Sequence, residues 1–358
     1  MKVEMVQVGI TTRCNCHCYF CFREELKRAG RKEARYDLPK ESIQKIIDQG
    51  IRDIHLCGNR GEAIFHPDID EIIDMIKSSG SRFEMNTNGG RFDNDWWYRL
   101  GQKMTPGDQV IFALDGLKNT HEYYRNTSWL KVMENMKAFI AGGGRAIWQM
   151  IVFKHNEHQV KFIKNLSKTI GCAETWVINS RFYNKKYQRP TKENKKTKED
   201  ILIETGGIKQ IQCKFFMGKR IYIGVDGSVW PCCFMRCHFG FKERAYPGNT
   251  VTKLFKEQYD FNNVMNTPLD DIVNNSKMFN RIYSNIYNDT YKYDPEFNGS
   301  FEVDIDNPIL YKNPNEGCLV RHPRTMVNFA CQLYCNTEIE KKGNRIHIKN
   351  ESTDSTLL

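Results

Sequence analysis

The stretch "VQVGITTRCNCHCYFCF", Val6–Phe22, joins a β-branched run to four cysteines, Cys14, Cys16, Cys18 and Cys21. Val6 to Ile10 reads as a strand, so the cysteines fall on the loop that leaves its C-terminal end. Thiolates bind soft metals, and C-x3-C-x2-C (Cys14, Cys18, Cys21) brings three sulfurs to one centre with no fourth ligand at short spacing. A three-cysteine cubane keeps one iron open, as catalytic zinc sites keep a vacancy for what must enter. Half of a zinc site, completed by Cys16 or His17, is the other reading of the same residues.

The chain around this loop alternates short apolar runs with amphipathic segments. Strands are expected at Val6–Ile10, Asp53–Cys57, Arg82–Thr87, Gln109–Leu114, Ala146–Val152 and Glu174–Ile178. Helical periodicity falls between them, at Leu38–Gln49, Ile69–Ser78, Asp93–Leu100, Trp129–Ala141 and His158–Gly171. Pro39 opens the first of these, Gly50 stops it, and the glycines Gly142 to Gly144 read as another helix stop. Six β/α units predict an α/β fold, a partial (β/α)6 TIM-like barrel, whose functional groups sit on loops after the strands' C-terminal ends.

With Phe20 before the last cysteine, the loop resembles the cluster motif of the radical S-adenosylmethionine superfamily. The resemblance covers nearly all of Val6 to Ile178. It implies a [4Fe-4S] cluster whose open iron chelates the amino and carboxylate groups of S-adenosylmethionine. One-electron reduction then yields methionine and a 5′-deoxyadenosyl radical, which abstracts a hydrogen atom from substrate. "CGNRGEAIFHPD" (Cys57–Asp68) resembles the family's glycine and glutamate motif, which receives the methionine amino group; Gly61 and Glu62 match, while Arg60 and Ala63 depart. "NTNGG" (Asn86–Gly90) and "ALDGLKNTHEYYR" (Ala113–Arg125) resemble segments near the ribose and carboxylate, and "VFKHNEHQV" follows the fifth strand. Phe20, Asn88, Asp115, Arg125 and Asn156 thereby join Gly61 and Glu62 as cofactor-binding candidates. Singly, Asp115 also reads as a turn residue and Arg125 as a helix-surface cation. Cys16 is extra to the pattern and reads as a bystander.

A second cysteine set follows. In "CKFFMGKRIYIGVDGSVWPCC" (Cys213–Cys233), Ile211 to Val229 reads as a β-hairpin turning at "VDG". Its spacing resembles the start of the auxiliary iron–sulfur module called SPASM, or its shorter twitch form, and "PLDDIVNNSKMFNRIY" resembles the helix that follows. The C-x2-C and C-x5-C runs of a full module are missing from this part, so the expectation is one auxiliary cluster on Cys213, Cys232, Cys331 and Cys335. Cys318 is the substitute ligand, Cys233 and Cys237 compete for either role, and a structural zinc is the alternative occupant. Cys57 and Cys172 are assigned to packing.

Composition sets the remaining expectations. The net charge is +10, and Arg181 to Asp200 supplies half of it with eight Lys or Arg against three acids. That segment reads as a solvated linker; binding to nucleic acid is the rival reading. No apolar run approaches the ~18 residues of a membrane span, and thirteen clustered cysteines without a secretion signal point to a reducing, cytoplasmic setting. The expected organisation is a barrel over 1–180, a linker over 181–205, a small α+β iron–sulfur domain over 206–345 and a polar tail over 346–358. With the sequence opening at the first strand, the expectation is that no N-terminal peptide-binding domain is present, which lowers the peptide reading without excluding it, since such a domain can be a separate protein. The resemblance makes modification of a peptide or protein side chain the first expectation and radical dehydrogenation of a small sugar or alcohol the second, while Arg60 and Ala63 favour the alternative of a non-catalytic metal-binding protein on the same fold. A flavodoxin or ferredoxin is the expected electron donor.

Overall fold

The computed structural model describes residues 1–28, 30, 35–180, 183–191, 215, 218–233, 235–236, 250–287, 302–304, 339–342 and 345–348. Six strands, β1 (Met5–Val8), β2 (Asp53–Leu56), β3 (Arg82–Thr87), β4 (Gln109–Ala113), β5 (Ala146–Val152) and β6 (Glu174–Asn179), pair in parallel in chain order. Parallel neighbours need a crossover, and helices supply it: α1 (Phe22–Arg28) and α2 (Lys40–Ile47), α3 (Ile69–Ser78), α4 (Asn94–Lys103), α5 (Lys118–Arg125) and α6 (Trp129–Ala141), then α7 (Val160–Thr169). The expected α/β partial barrel is therefore present.

Alternation along the strands sorts the two faces. Val6, Val8, Ile54, Leu56, Phe83, Met85, Phe112 and Trp148 belong to the apolar core packed with the helices. Their neighbours in sequence point to the other side, where Gln7 meets His55 at 3.1 Å, His55 meets Glu84 at 3.1 Å, and Gln109 donates to Glu84 at 2.6 Å. α4 and α6 cross closely because Gly101 and Gly142 face backbone; a Cβ there would meet the Phe139 and Tyr98 carbonyls at 2.3 and 2.2 Å. The glycine run ends α6 as expected, with Gly143 in the left-handed region at φ 95°.

The hairpin forms as β7 (Arg220–Ile223) and β8 (Val229–Trp230), with Gly227 at φ 78° in its turn. It does not stand apart: β7 pairs in parallel with β1 and extends the barrel sheet to eight strands. The single helix expected near Leu269–Tyr283 is two, α9 (Leu269–Asn275) and α10 (Lys277–Tyr287), broken where Ser276 is extended; α8 (Thr250–Glu257) precedes them. β9 (Glu302–Asp304), β10 (Ile339–Lys342) and β11 (Arg345–Ile348) form a small antiparallel sheet, so the boundary expected at 346 falls inside a paired strand. The expected linker also opens differently. Over 183–191 it is a packed turn with Tyr183 and Tyr187 buried, while 192–205 lies outside the described residues.

Candidate functional site

The cysteine loop is anchored before its first thiol. Thr11 Oγ1 donates to Asp37 at 2.6 Å, Arg13 Nε reaches the same carboxylate at 3.0 Å, and Thr12 N–H donates to the Tyr36 carbonyl at 2.9 Å. Cys21 N–H then closes a turn on the Cys18 carbonyl at 2.9 Å, and Glu25 N–H on the Cys21 carbonyl starts α1. Arg23, two residues past the motif, ties the loop together from outside by donating to the carbonyls of Cys14, at 3.0 Å, and Cys16. Sequence reading passed over Arg23, although a guanidinium so close to three thiolates was a usable signal.

Electrostatics differ among the thiols. The Cys16 thiol donates towards Cys14, whose pKa falls to about 6, helped by the Cys16 N–H at 3.4 Å and the charges of Arg23 and Arg125. Cys18 is lowered too, by the Cys16 thiol and then by Arg125. Burial pushes Cys21 up to about 11, and Cys16 itself is held protonated by its role as donor. Cys16, expected as a bystander, is thus hydrogen-bonded within the set.

The loop after β2 crosses this one at contact distance. A Cβ on Gly61 would lie 1.9 Å from the Thr11 carbonyl oxygen, and one on Gly58 would lie 2.0 Å from the Gly61 oxygen, so both positions require glycine. Glu62 follows, held by its N–H on the Arg13 carbonyl at 2.8 Å. Its Oε2 accepts from Asn88 N–H at 2.7 Å, and its buried Oε1 has no hydrogen-bond partner among the described residues. Burial first, then the negative charge of Cys14, raise this carboxyl to about 8. The Asn88 amide completes the contact, donating to Asn15 at 2.8 Å and lying 3.7 Å from the Cys14 sulfur.

Asp115, Arg125 and Asn156 form one buried group beside these. Arg125 Nε donates to Asp115 Oδ2 at 2.6 Å, its Nη1 lies 4.0 Å from the Cys18 sulfur, and its carbonyl accepts from His17 N–H at 3.3 Å. Asp115 Oδ1 accepts from Ile151 N–H at 2.7 Å. Asn156 spends its amide on backbone, donating to the Asp115 and Ile151 carbonyls at 3.1 and 2.9 Å and accepting from Phe153 N–H at 2.8 Å. These three residues brace the loops after β4 and β5 against the cysteine loop.

Phe20 enters an aromatic cluster, 6.2 Å from Phe153 and 5.8 Å from Tyr187. Tyr187 also meets the rings of Tyr19, Tyr123, Tyr124, Phe153 and His155. It sits in "RFYNKKYQRP", where surrounding charge disguised a core position; no period betrays a single tyrosine in a turn.

Of the second cysteine set, Cys232 and Cys233 are described, directly after β8 and half-buried. Arg236 locks this corner to the hairpin turn through Asp226 at 2.6 Å. Asn59, three residues before Glu62, donates to the Cys233 carbonyl at 2.9 Å, so the second cysteine region touches the loop that carries Glu62. Cys213, Cys237, Cys318, Cys331 and Cys335 lie outside the described residues. Among the described residues no three His, Cys, Asp or Glu side chains close round a single ion. Fit to a metal group therefore rests on the donor set: three thiols on one braced loop, two with lowered pKa values, beside an orphaned buried carboxylate oxygen. Those residues suit a thiolate-bound cluster with an amine-bearing ligand at its side.

Comparison with known proteins adds three findings. Residues 8–166 match the radical SAM superfamily and residues 213–295 match SPASM, an iron–sulfur cluster-binding domain. A probable GTP 3′,8-cyclase of Methanothermobacter marburgensis is 28% identical over 193 residues, 48% of this chain and 60% of that protein. The GTP 3′,8-cyclase of Campylobacter fetus is 33% identical over 187 residues, covering 49% and 55%. The chain thus spans somewhat over half the length of these relatives. Among solved structures, Streptococcus suis SuiB bound to S-adenosylmethionine superposes with TM-score 0.55 at 15% identity, over 79% of this chain and 68% of that one. The protein anSMEcpe, with AdoMet and the Kp18Cys peptide, gives 0.54 at 15% identity over 92% and 94%; both agree in fold.

Proposed function

The chain belongs to the radical S-adenosylmethionine superfamily, and on that premise we propose that it is an enzyme that abstracts a hydrogen atom from a peptide or protein side chain. The observation that carries this reading is the convergence of Cys14, Asn88 and the orphaned Glu62 oxygen on one side of the cysteine loop. When bound, a three-cysteine [4Fe-4S] cluster with S-adenosylmethionine supplies, on one-electron reduction, a 5′-deoxyadenosyl radical. Cys14, Cys18 and Cys21 would hold the cluster. The Cys16 N–H and the Asn88 amide stand by the Cys14 sulfur and Arg125 by that of Cys18, where donors tune a cluster's potential. Glu62 would take the methionine amino group, which the close backbone approach at Gly61 allows. Phe20 would form an apolar wall of the cofactor pocket, and Asp115, Arg125 and Asn156 would keep its loops in register. These groups hold the reactants close and exclude water.

For the auxiliary cluster, Cys213, Cys232, Cys331 and Cys335 are the proposed ligands, with Cys318 in reserve; the SPASM match over 213–295 supports a cluster there. The proposed division is a barrel over 1–180 and an iron–sulfur domain from 206 that keeps the whole of β11, its hairpin completing the barrel sheet. Modules of this kind accompany peptide modification most often, which favours a peptide substrate. A small-molecule substrate is the second reading, favoured by relatives named GTP 3′,8-cyclase that match half of this chain.

Without oxygen, reduced wild type with S-adenosylmethionine is expected to form 5′-deoxyadenosine, and the Cys14, Cys18, Cys21→Ala triple variant none. Deuterium entering the nucleoside from a deuterated peptide fraction supports the first substrate class; entry from a deuterated nucleotide or sugar fraction instead supports the second. Nucleoside from neither protein refutes the enzyme reading.

A further inference from the structure

On the face of the cysteine loop that carries α1 lies a cavity of about 670 Å3, whose lining includes Arg13, Cys14, His17, Arg23, Lys27 and Arg35. Two of these cations are compensated: Arg13 by Asp37, and Arg23 by Glu24, which His17 shares. Lys27 and Arg35 have no ion-pair partner among the described residues. Arg28, exposed on the same helix, donates to the Tyr19 carbonyl at 2.6 Å and lies over the Tyr19 ring. In sequence, Arg23 to Arg35 holds six Lys or Arg against three Glu.

We propose that this face docks an acidic one-electron carrier protein of the flavodoxin or ferredoxin class. The inference rests on the cluster reading above and adds where the electron enters. Cys14 lines the cavity and also belongs to the three-thiol set, so a carrier whose carboxylates reach this cavity lies beside one of the proposed cluster ligands. The surface is open and only partly neutralised, which suits steering of a reversible partner better than permanent burial. In the step itself the reduced carrier loses one electron and the cluster passes from its 2+ to its 1+ state; no bond breaks and no proton moves.

The test is the double variant Lys27→Glu, Arg35→Glu in the reconstituted full chain, with iron and sulfide counted first. Reduction of the first cluster is followed by freeze-quench electron paramagnetic resonance, its signal identified by absence from the triple cysteine variant. With reduced flavodoxin at low salt, the second-order rate is expected to fall at least tenfold, the gap closing as ionic strength rises. With reduced methyl viologen, a small cation, the rate should not fall. An unchanged flavodoxin rate overturns the proposal, as does an equal loss with both reductants. So does single-stranded RNA bound through Lys27 and Arg35 while flavodoxin reduction is unaffected. If wild type takes up no iron and sulfide, the cluster reading itself has failed.

Discussion

Glu62 bears a cost that a ligand would relieve. One oxygen is held by Asn88 N–H, the other is buried without a hydrogen-bond partner among the described residues, and the carboxyl rises to about 8, chiefly through burial. At pH 7 the group is mostly protonated, while an amino group that chelates iron is a neutral amine whose N–H donates, so the ligand favours the ionised carboxylate. Binding of S-adenosylmethionine at pH 7 should therefore release a proton from Glu62 in addition to the one the ligand's own ammonium gives up, measured as a dependence of calorimetric enthalpy on the buffer's ionisation enthalpy and compared with Glu62→Gln, which should lose the Glu62 share. Affinity should strengthen as pH rises towards about 8 and level off above it. Glu62→Gln retains an acceptor for Asn88 but loses the charge. It should weaken binding roughly tenfold or more, about 1.4 kcal/mol, with cluster iron unchanged. Unaltered affinity and proton release in that variant would remove Glu62 from the site.

The turn at 183–191 is the element whose part in the site was hidden. Asn184 accepting from Tyr187 N–H at 2.7 Å closes it, Lys154 N–H on the Gln188 carbonyl at 3.0 Å and Thr191 N–H on Glu157 at 2.6 Å tie it to the loop after β5, and its contribution is the Tyr187 ring against Phe20. Tyr187→Ala should weaken S-adenosylmethionine binding several-fold without lowering iron content, while Tyr187→Phe, which keeps the ring, should bind as wild type. Calorimetry and iron analysis together check this; equal loss in both variants would mean the ring packing is not what matters. The contrast shows what sequence can carry. The six parallel strands repeat a period, and the apolar sides of α3 and α7 repeat another, so both were legible. α1 and α5 are short and polar, and depend on the Cys21 and Asp115 loops they leave. Tyr187, Arg23 and Asn59 act through contacts distant in sequence or through backbone, which no local pattern encodes. Cys14 was legible in the C-x3-C-x2-C spacing of its loop, and Gly61 and Glu62 through the resemblance of their segment to the family's motif.

Across the molecule, the hairpin's membership of the barrel sheet couples the two halves of the chain. β7 covers β1 residue by residue, Met5 on Arg220 to Val8 on Ile223, and Asp270 at the start of α9 accepts from Val3 N–H at 2.8 Å. Among the described residues no helix is long and apolar enough to cross a membrane. A chain cut after Ser180 would bare the β1 edge and the apolar surface under the hairpin. It should aggregate or melt at clearly lower temperature than the full chain, as thermal unfolding and gel filtration would reveal; an equally stable monomer would mean the barrel stands alone. The same coupling brings Cys233 to Asn59, so two metal centres are expected in one folded unit. Counting iron and acid-labile sulfide after anaerobic reconstitution measures that most directly. Wild type should hold about eight irons and the Cys14, Cys18, Cys21→Ala variant about four, each with matching sulfide. Zinc without sulfide, or an iron count the triple variant does not lower, would contradict a cluster on the first cysteine loop.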